Sequence, residues 1–207
     1  MKRLLLTTFL IMPVLSGFSQ PNAYSEAAKK CATDFQEGLL TIATEDRDSV
    51  FYEKMVNLRD CFLGLKFPDF SLLSIDRTPY SLNDLKGKVV MLNLWFIGCA
   101  PCVAEMPILG QLAEEYQGKD FILLTFSLDD NASIMEFKKK KELNFVIFAK
   151  SRQIIEELFL LTFGYPTNII LDKEGKIAEF KLGAPMDESE LQKMKSSFKE
   201  VIDRLLK

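Results

Sequence analysis

The feature that most constrains this fold is a pair of cysteines between a strand-like segment and a helix-like segment. Residues 89–94 are mostly apolar and rich in strand-forming side chains, as a strand buried on both faces requires. The sequence Cys99-Ala-Pro-Cys102 follows after a short break that ends at Gly98. From Val103 to Leu112, apolar side chains then recur at spacings of three. We therefore predict a buried strand, a short turn and a helix that begins at the first cysteine.

A Cys-x-x-Cys pair in this position favours redox chemistry. Cys99 would lie at the helix N-terminus, where unpaired backbone N–H groups and the helix dipole stabilise a thiolate. Cys102 would follow about one turn later, close enough to form a small disulfide with Cys99. The alternatives are two packing cysteines or half of a zinc site. Because a structural zinc site needs four ligands, usually Cys and His, and the chain has no histidine, we expect no metal.

Composition excludes several classes of function. Without histidine, the chain cannot build a Ser-His-Asp triad, a Cys-His protease or a His-ligated metal site. The formal net charge of −3 provides no basic field for nucleic acid. Catalysis is therefore restricted to cysteine, carboxylates, lysine, tyrosine or backbone groups. The length of 207 residues suggests one domain with an appendage.

Residues 1–19 are typical of a secretory signal. Two basic residues precede an apolar run from Leu4 to Leu15, and small residues follow at 17–19, before Gln20. The alternative is an uncleaved membrane anchor, but the apolar run is shorter than the ~20 residues that a membrane span prefers. We therefore predict an exported, periplasmic protein, anchored to the membrane only if the signal stays uncleaved. Disulfides persist in such a compartment.

The segment 20–65 predicts a helical hairpin. Apolar side chains recur at spacings of three and four through residues 24–42 and again through 51–62, with a polar turn near Asp46. Cys31 and Cys61 lie fifteen residues on either side of Asp46 and would face each other in an antiparallel pair. We predict a structural disulfide, worth about 3.6 kcal/mol by loop entropy. Two buried free thiols are the alternative.

Beyond residue 65, strand-like and helix-like segments alternate. The predicted strands are 67–73, 89–94, 120–127, 144–149, 168–171 and 176–182. The predicted helices run from the cysteines to about Gln117, from a Ser133/Glu136 capping box to near Leu143, through 154–159, and from Asp187 onwards. This order predicts an α/β fold with a central mixed sheet, to which the final hairpin adds antiparallel strands. The predicted divisions are a signal (1–19), a helical segment (20–65) and an α/β domain (66–207).

Further residues in register with the cysteines give this chain a family resemblance. Trp95 lies four residues before Cys99, Pro107 lies five residues after Cys102, and Tyr165-Pro-Thr167 precedes a late strand. Over about residues 66–206 the chain resembles the thioredoxin superfamily, most of all its exported TlpA/ResA-like thiol:disulfide oxidoreductases. The resemblance implies a thioredoxin-like fold. Two positions depart from thioredoxin itself. Where thioredoxin has a buried Asp, this chain has Asn93, and where thioredoxin has a Trp, this chain has Gly98.

The resemblance also implies roles for individual residues. The bond before Pro166 would be cis, presenting the Tyr165 backbone to an extended partner chain and keeping metal away from the cysteines. Trp95 would support the active-site loop on the substrate-binding side, although as a core aromatic it needs no such role. Glu105 matches a carboxylate that ResA-like proteins carry three residues after the second cysteine. One helical turn past Cys102, Glu105 could take and return the proton of that thiol, although a solvated helix carboxylate is the alternative.

The predicted activity is disulfide exchange without a cofactor. The Cys99 thiolate attacks a partner disulfide, and Cys102 then attacks Cys99 to release the reduced partner. The resemblance favours reduction over oxidation, with protein disulfides and a membrane electron donor as partners, for example in cytochrome c maturation. One rival is a peroxiredoxin-like peroxidase, which would place Thr where this chain has Phe96. Another is a binding module in which the thiols are vestigial and the helical hairpin docks a partner.

Overall fold

The computed structural model describes residues 23–40, 47–141 and 143–207. Two helices, α1 (Ala23–Leu40) and α2 (Arg47–Phe62), pack against each other ahead of the sheet. They form the predicted N-terminal helical pair. The predicted signal at 1–19 and the predicted turn near Asp46 lie outside the described residues. Within the described ranges, none of the helices is both long enough and apolar enough to cross a membrane.

The remaining elements form an α/β domain with a mixed sheet. The strands are β1 (Ser71–Leu73), β2 (Pro79–Ser81), β3 (Val89–Trp95), β4 (Phe121–Ser127), β5 (Val146–Phe148), β6 (Thr167–Leu171) and β7 (Ile177–Leu182). The main sheet has the order β5-β4-β3-β6-β7. β3, β4 and β5 are parallel, whereas β6 is antiparallel to β3 and β7 is antiparallel to β6. The predicted mixed sheet with an antiparallel final hairpin is confirmed.

The two faces of β3 supply two separate halves of the core. Because side chains alternate along a strand, Val89 and Met91 point to one face, while Val90 and Leu92 point to the other. The first pair packs with α3 (Ala100–Glu115) and α5 (Glu188–Leu206). The second pair packs in a cluster rich in phenylalanine that includes side chains of α1 and α2. β3 is therefore buried on both faces, as its apolar run predicts.

The first predicted strand is shorter in the structure than in the sequence analysis. Only Ser71–Leu73 is extended, and it pairs with β2 in a small sheet of its own rather than with the central sheet. Phe67 and Phe70, three residues apart, are buried in the same cluster, whereas an alternating strand would point them to opposite faces. Pro68 has no N–H to donate to a strand ladder. The prediction of a strand over 67–73 was wrong for its first four residues.

Helix α4 (Asn131–Lys138) begins earlier and ends earlier than predicted. Its N-cap is Asp130, whose side chain accepts a 2.8 Å hydrogen bond from the Ser133 backbone, so the predicted Ser133 capping box is wrong. The helix ends within the run of lysines 138–141, where like charges three residues apart disfavour further turns. Asp187, by contrast, caps α5 as predicted.

The segment before β6 also differs from the prediction. Residues 154–158 form a π-helical turn instead of an α-helix through Phe159, and the Phe159 N–H bonds to the Ile154 carbonyl. Residues 160–166, here named the Pro166 loop, then lead into β6 without regular secondary structure. On α2, Phe62 is fully buried, but Phe51, predicted on the same stripe, is 46% exposed.

The linker after α2 pairs with the start of β7. The Gly64 N–H bonds to the Ile177 carbonyl over 2.8 Å, and the Ile177 N–H bonds to the Leu65 carbonyl over 2.9 Å. Lys66 and Lys176 form an antiparallel bridge beside them. The helical pair therefore joins the sheet at its β7 edge.

Candidate active site

The two central cysteines occupy the N-terminus of α3. Cys99 is the N-cap residue, and its sulfur accepts a 3.3 Å hydrogen bond from the Cys102 backbone N–H. Its carbonyl accepts from Val103 and opens the helical ladder. The two residues form a disulfide with their Cα atoms 5.2 Å apart. A sulfur in this position faces the positive end of the helix dipole, which favours the thiolate when the disulfide is reduced.

The two sulfurs differ in access. Cys99 is 6% exposed and is flanked by Gly98 and Ala100, which are both exposed. Cys102 is 1% exposed and lies beneath the first turn. Because thiol–disulfide exchange needs a direct approach of one sulfur to another, Cys99 is the residue that a large partner reaches first.

Glu105 lies inside the protein, one helical turn after Cys102. Its side chain is 0% exposed, so the alternative of a solvated helix carboxylate is wrong. Asn93 donates a 2.7 Å hydrogen bond to Oε1 of Glu105, and Asn168 donates a 2.9 Å hydrogen bond to Oε2. The sheet therefore holds both oxygens of this carboxyl group from below α3.

Burial and hydrogen bonding act in opposite directions on the acidity of Glu105. Removal from water raises the pKa of Glu105 to about 7, because the charged form loses its hydration. The amide donors of Asn168 and Asn93 lower the same pKa, as does the charge of Lys181. The net result is a carboxyl group that can hold or release a proton near neutral pH. This property suits a group that exchanges protons with a buried thiol.

The Pro166 loop lies beside the loop that precedes the cysteines. The Tyr165–Pro166 bond is cis. The ring of Tyr165 meets the ring of Phe96, in the loop before the cysteines, with centroids 5.5 Å apart. Tyr165 packs on the apolar cluster that contains both Cys99 and Cys102. The structure therefore places Tyr165 and Pro166, to which the resemblance assigns partner contact, beside the loop that leads to Cys99.

Comparison with known proteins agrees with this arrangement. The AhpC/TSA family matches residues 63–180, more than half of the chain. The chain belongs to the AhpC/TSA family. Thioredoxin-like protein YneN of Bacillus subtilis is 32% identical over 63% of this chain and 78% of its own length. The thiol-disulfide oxidoreductase ResA of Bacillus cereus is 32% identical over 58% of this chain and 70% of its own length.

Solved structures give the same result for this AhpC/TSA family member. A protein from Chlorobium tepidum, assigned as thiol:disulfide interchange protein DsbE, is 25% identical with a TM-score of 0.61, over 70% of this chain and 98% of its own. The exposed lipoprotein thioredoxin Etrx1 of Streptococcus pneumoniae is 27% identical with a TM-score of 0.51, over 62% and 98%. The thioredoxin-like, ResA-like resemblance is confirmed. The enzyme class is thiol-disulfide oxidoreductase.

Trp95 is a core aromatic in this family member, which was one of the two expectations for it. Its side chain is 0% exposed and packs on Phe137 and in the cluster with the two cysteines. Its indole N–H has no hydrogen-bond partner in the described part of the chain. A fully buried ring cannot touch a partner protein, so a substrate-binding role by contact was wrong. Trp95 lies at the C-terminal end of β3, just before the active-site loop.

Asn168 was not predicted as a functional residue, and Asn93 was noted only as a departure from thioredoxin. Both are buried amides in mostly apolar strands. Buried amides require hydrogen-bond partners, so two such interruptions in neighbouring strands were a signal for a shared polar partner. The remaining predicted residues, Cys31 and Cys61, form a disulfide between α1 and α2. That disulfide belongs to a different cluster from Cys99 and Cys102.

Proposed function

We propose that this protein reduces disulfides of partner proteins at the Cys99–Cys102 pair, outside the cytoplasm, with electrons from a membrane donor. The observation that carries the proposal is the graded burial of three groups along one helix end. Cys99 is the more accessible sulfur, Cys102 lies beneath it, and Glu105 lies one turn deeper with a pKa of about 7. This order matches an attacking thiolate, a resolving thiol and a proton acceptor.

The first step consumes the Cys99 thiolate of the reduced protein. The thiolate attacks one sulfur of the partner disulfide, a mixed disulfide forms, and the second partner sulfur leaves as a thiolate that takes a proton from solvent. The N-terminus of α3 stabilises the attacking thiolate before the step. The partner approaches between the exposed residues beside Cys99 and the Pro166 loop, where the half-buried Tyr165 supplies contact surface and the buried Pro166 fixes the backbone that the partner meets.

The second step uses Cys102 and Glu105. The Cys102 thiol transfers its proton to Glu105, and the resulting thiolate attacks Sγ of Cys99. The bond between Cys99 and the partner breaks, and the partner leaves as its second thiolate, which takes up the proton returned by Glu105. Two electrons have then passed to the partner, and the protein holds the Cys99–Cys102 disulfide. A dithiol donor restores the reduced state by the same exchange in reverse.

The location is supported by the chain itself, whereas the direction follows from the resemblance to exported reductants. Residues 1–19 have the pattern of a secretory signal. A disulfide between Cys31 and Cys61 is suited to an oxidising compartment. In such a compartment, a reductant needs electrons from across the membrane, and cytochrome c maturation is a process that uses exported reductants of this kind.

The deciding experiment is a redox titration that reports each cysteine pair separately. The protein is equilibrated in dithiothreitol or glutathione buffers of defined potential, and the thiols are then labelled and quantified by peptide mass. A potential near ~−270 mV or lower for Cys99–Cys102 supports a reductant. A value near ~−120 mV would assign the protein to disulfide formation instead. If this pair shows no reversible two-electron couple, the binding-module alternative replaces the proposal.

A parallel assay separates the peroxidase rival. Hydrogen peroxide consumption is measured beside insulin reduction, with the same protein and the same dithiol donor. Faster turnover of insulin disulfides than of peroxide supports the exchange reaction. Faster turnover of peroxide would favour the peroxidase, although Phe96 occupies the position where that class has Thr.

A further inference from the structure

The helical pair α1–α2 precedes the family match, which begins at residue 63, yet it contacts the domain at specific points. Phe62 stacks on Phe180 of β7, with ring centroids 4.7 Å apart and an interplanar angle of 6°. Arg59 binds both carboxylate oxygens of Glu179, at 2.6 and 3.1 Å. These contacts fix the helices against the edge of the sheet.

Two further contacts of the helical pair reach the chain segment that ends at Pro166. The hydroxyl of Tyr24 donates a 2.6 Å hydrogen bond to the carbonyl of Phe159, just before the Pro166 loop. Within the loop, the ring of Phe163 packs edge-on against Phe35 of α1 and Phe62 of α2, with centroids 5.7 Å away in both cases. Phe163 therefore lies between the two helices.

Phe163 is only two residues from Tyr165, which contacts the active-site loop. The intervening Gly164 has a φ of +142°, and its carbonyl accepts a hydrogen bond from the Thr167 side chain over 2.8 Å. Backbone hydrogen bonds hold the two ends of the loop, from the Leu161 N–H to the Ile155 carbonyl and from the Gly183 N–H to the Pro166 carbonyl. Between them, at residues 162–165, side-chain anchors help to determine where the backbone lies. Movement of the Phe163 ring would be transmitted directly to Tyr165 and Pro166.

The Cys31–Cys61 disulfide lies next to the same two rings. Phe35 is one helical turn after Cys31 in α1, and Phe62 directly follows Cys61 in α2. The covalent bond therefore fixes the spacing of α1 and α2 where they hold Phe163. Without it, the spacing of the two helices would depend on their non-covalent packing and on their separate contacts with the domain.

We propose that the helical pair, closed by the Cys31–Cys61 disulfide, positions the Pro166 loop for partner binding by holding Phe163 between Phe35 and Phe62. Phe163 is a positioning residue that acts through Tyr165 and Pro166, and it takes no part in the exchange chemistry. The inference rests on the proposed function, because the loop is the surface that the partner contacts. It assigns to the N-terminal helices the control of affinity for large disulfide substrates.

The first test compares Phe163→Leu with the wild-type protein in insulin reduction. If the loop spends roughly four-fifths of its time displaced, the apparent KM for insulin rises about five-fold, while kcat changes by less than about two-fold. The small substrate bis(2-hydroxyethyl) disulfide needs no extended contact, so its rate stays unchanged, as does the potential of the Cys99–Cys102 pair. The matched control is Phe121→Leu, the same change at a buried ring packed on Tyr116 in the other half of the core.

An unchanged KM for insulin in Phe163→Leu would overturn the inference. Equal losses in Phe163→Leu and Phe121→Leu, with both substrates affected, would also overturn it, because they would indicate general destabilisation. A wild-type protein that reduces neither substrate would instead contradict the proposed function.

The second test needs no activity. Amide hydrogen exchange is measured in the oxidised wild type and in the Cys31→Ser/Cys61→Ser protein. The inference expects at least about ten-fold faster exchange at residues 162–165 in the variant, with unchanged exchange in β3. Equal exchange rates at residues 162–165 in the two proteins would overturn it, whether or not the wild type reduces insulin.

Discussion

Asn93 and Asn168 lie opposite each other on β3 and β6, and the amide of Asn93 donates a 2.9 Å hydrogen bond to the side-chain oxygen of Asn168. Each asparagine also donates to a different oxygen of Glu105, so the three side chains close a ring of hydrogen bonds. A carboxyl group on α3 is thereby fixed by the central sheet. The ring links the helix that bears the cysteines to the two strands beneath it.

The first prediction concerns Asn93→Asp. This change places a second carboxyl group where an amide now donates to Glu105 over 2.7 Å. Two acids so close in a buried site cannot both ionise, so one apparent pKa of the pair rises above that of Glu105 alone. As the pH rises from 6 to 9, we expect the free energy of unfolding of Asn93→Asp to fall by at least about 2 kcal/mol more than that of the wild type. Urea denaturation at the two pH values measures this difference.

The control for that experiment is Asn144→Asp. Asn144 is exposed and also donates to a carboxylate, that of Glu114, over 2.6 Å. Water screens the new charge there, so the pH dependence of stability should match that of the wild type. A similar pH dependence in the two variants would show that burial of the ring is not the cause.

The second prediction follows from the raised pKa of Glu105. Between pH 4.5 and about 7, the folded protein keeps a proton that the unfolded chain releases. The associated stability is fully present below pH 4.5 and is lost as the pH rises through 7, by about 3 kcal/mol for a shift of this size. Glu105→Gln should remove this contribution, whereas Glu114→Gln, at an exposed position on α3, should retain it. Urea denaturation at pH 5 and pH 8 distinguishes the two, and a retained pH dependence in Glu105→Gln would contradict the assignment.

The third prediction tests the order of attack. Cys102→Ala removes the resolving thiol, so the mixed disulfide between Cys99 and the partner should accumulate when the reduced variant meets oxidised insulin. Cys99→Ala should form at least about ten-fold less adduct, because its remaining sulfur is 1% exposed. Non-reducing gels and intact mass quantify the adducts. Equal trapping by the two variants would contradict the assignment of Cys99 as the attacking cysteine and Cys102 as the resolving cysteine.

The fourth prediction compares the two disulfides as sources of stability. The Cys31–Cys61 bond closes a loop with a sequence separation of 30, and the Cys99–Cys102 bond one of 3. Loop entropy then gives about 3.6 kcal/mol for the first and about 1.6 kcal/mol for the second. Double alanine variants of each pair, compared by urea denaturation, should reproduce this order. An equal or smaller loss of unfolding free energy for Cys31→Ala/Cys61→Ala would contradict the loop-entropy account of these two disulfides.

Local sequence patterns predicted those parts of the molecule that depend on neighbouring residues. The apolar run of β3, the N-cap position of Cys99 and the hairpin of β6 and β7 all follow from periodicity, turn residues and caps. The family resemblance anticipated the position of Glu105. Its buried state required knowledge of which face of α3 meets the sheet, because the residues around it are not uniformly apolar.

The features that escaped prediction depend on contacts between distant segments. Asn168 acquires its role from β3 and α3, which lie 75 and 63 residues away from it at Asn93 and Glu105. Phe163 takes its position from rings on α1, α2 and β7. No local pattern distinguishes such residues from ordinary strand or loop residues, so only the fold identifies them. Trp95 was misassigned for a similar reason, since its burial results from packing against Phe137.

The pairing of residues 64–66 with β7 has a consequence for encounters between molecules of this protein. An outer strand offers unpaired backbone groups on which a strand of another molecule can assemble. At the start of β7 those groups are already bonded to the linker, and at the opposite edge β5 is only three residues long. Both features shorten the open edges on which a strand of another molecule could assemble. One molecule of this protein is therefore poorly suited to extend its sheet onto that of another molecule.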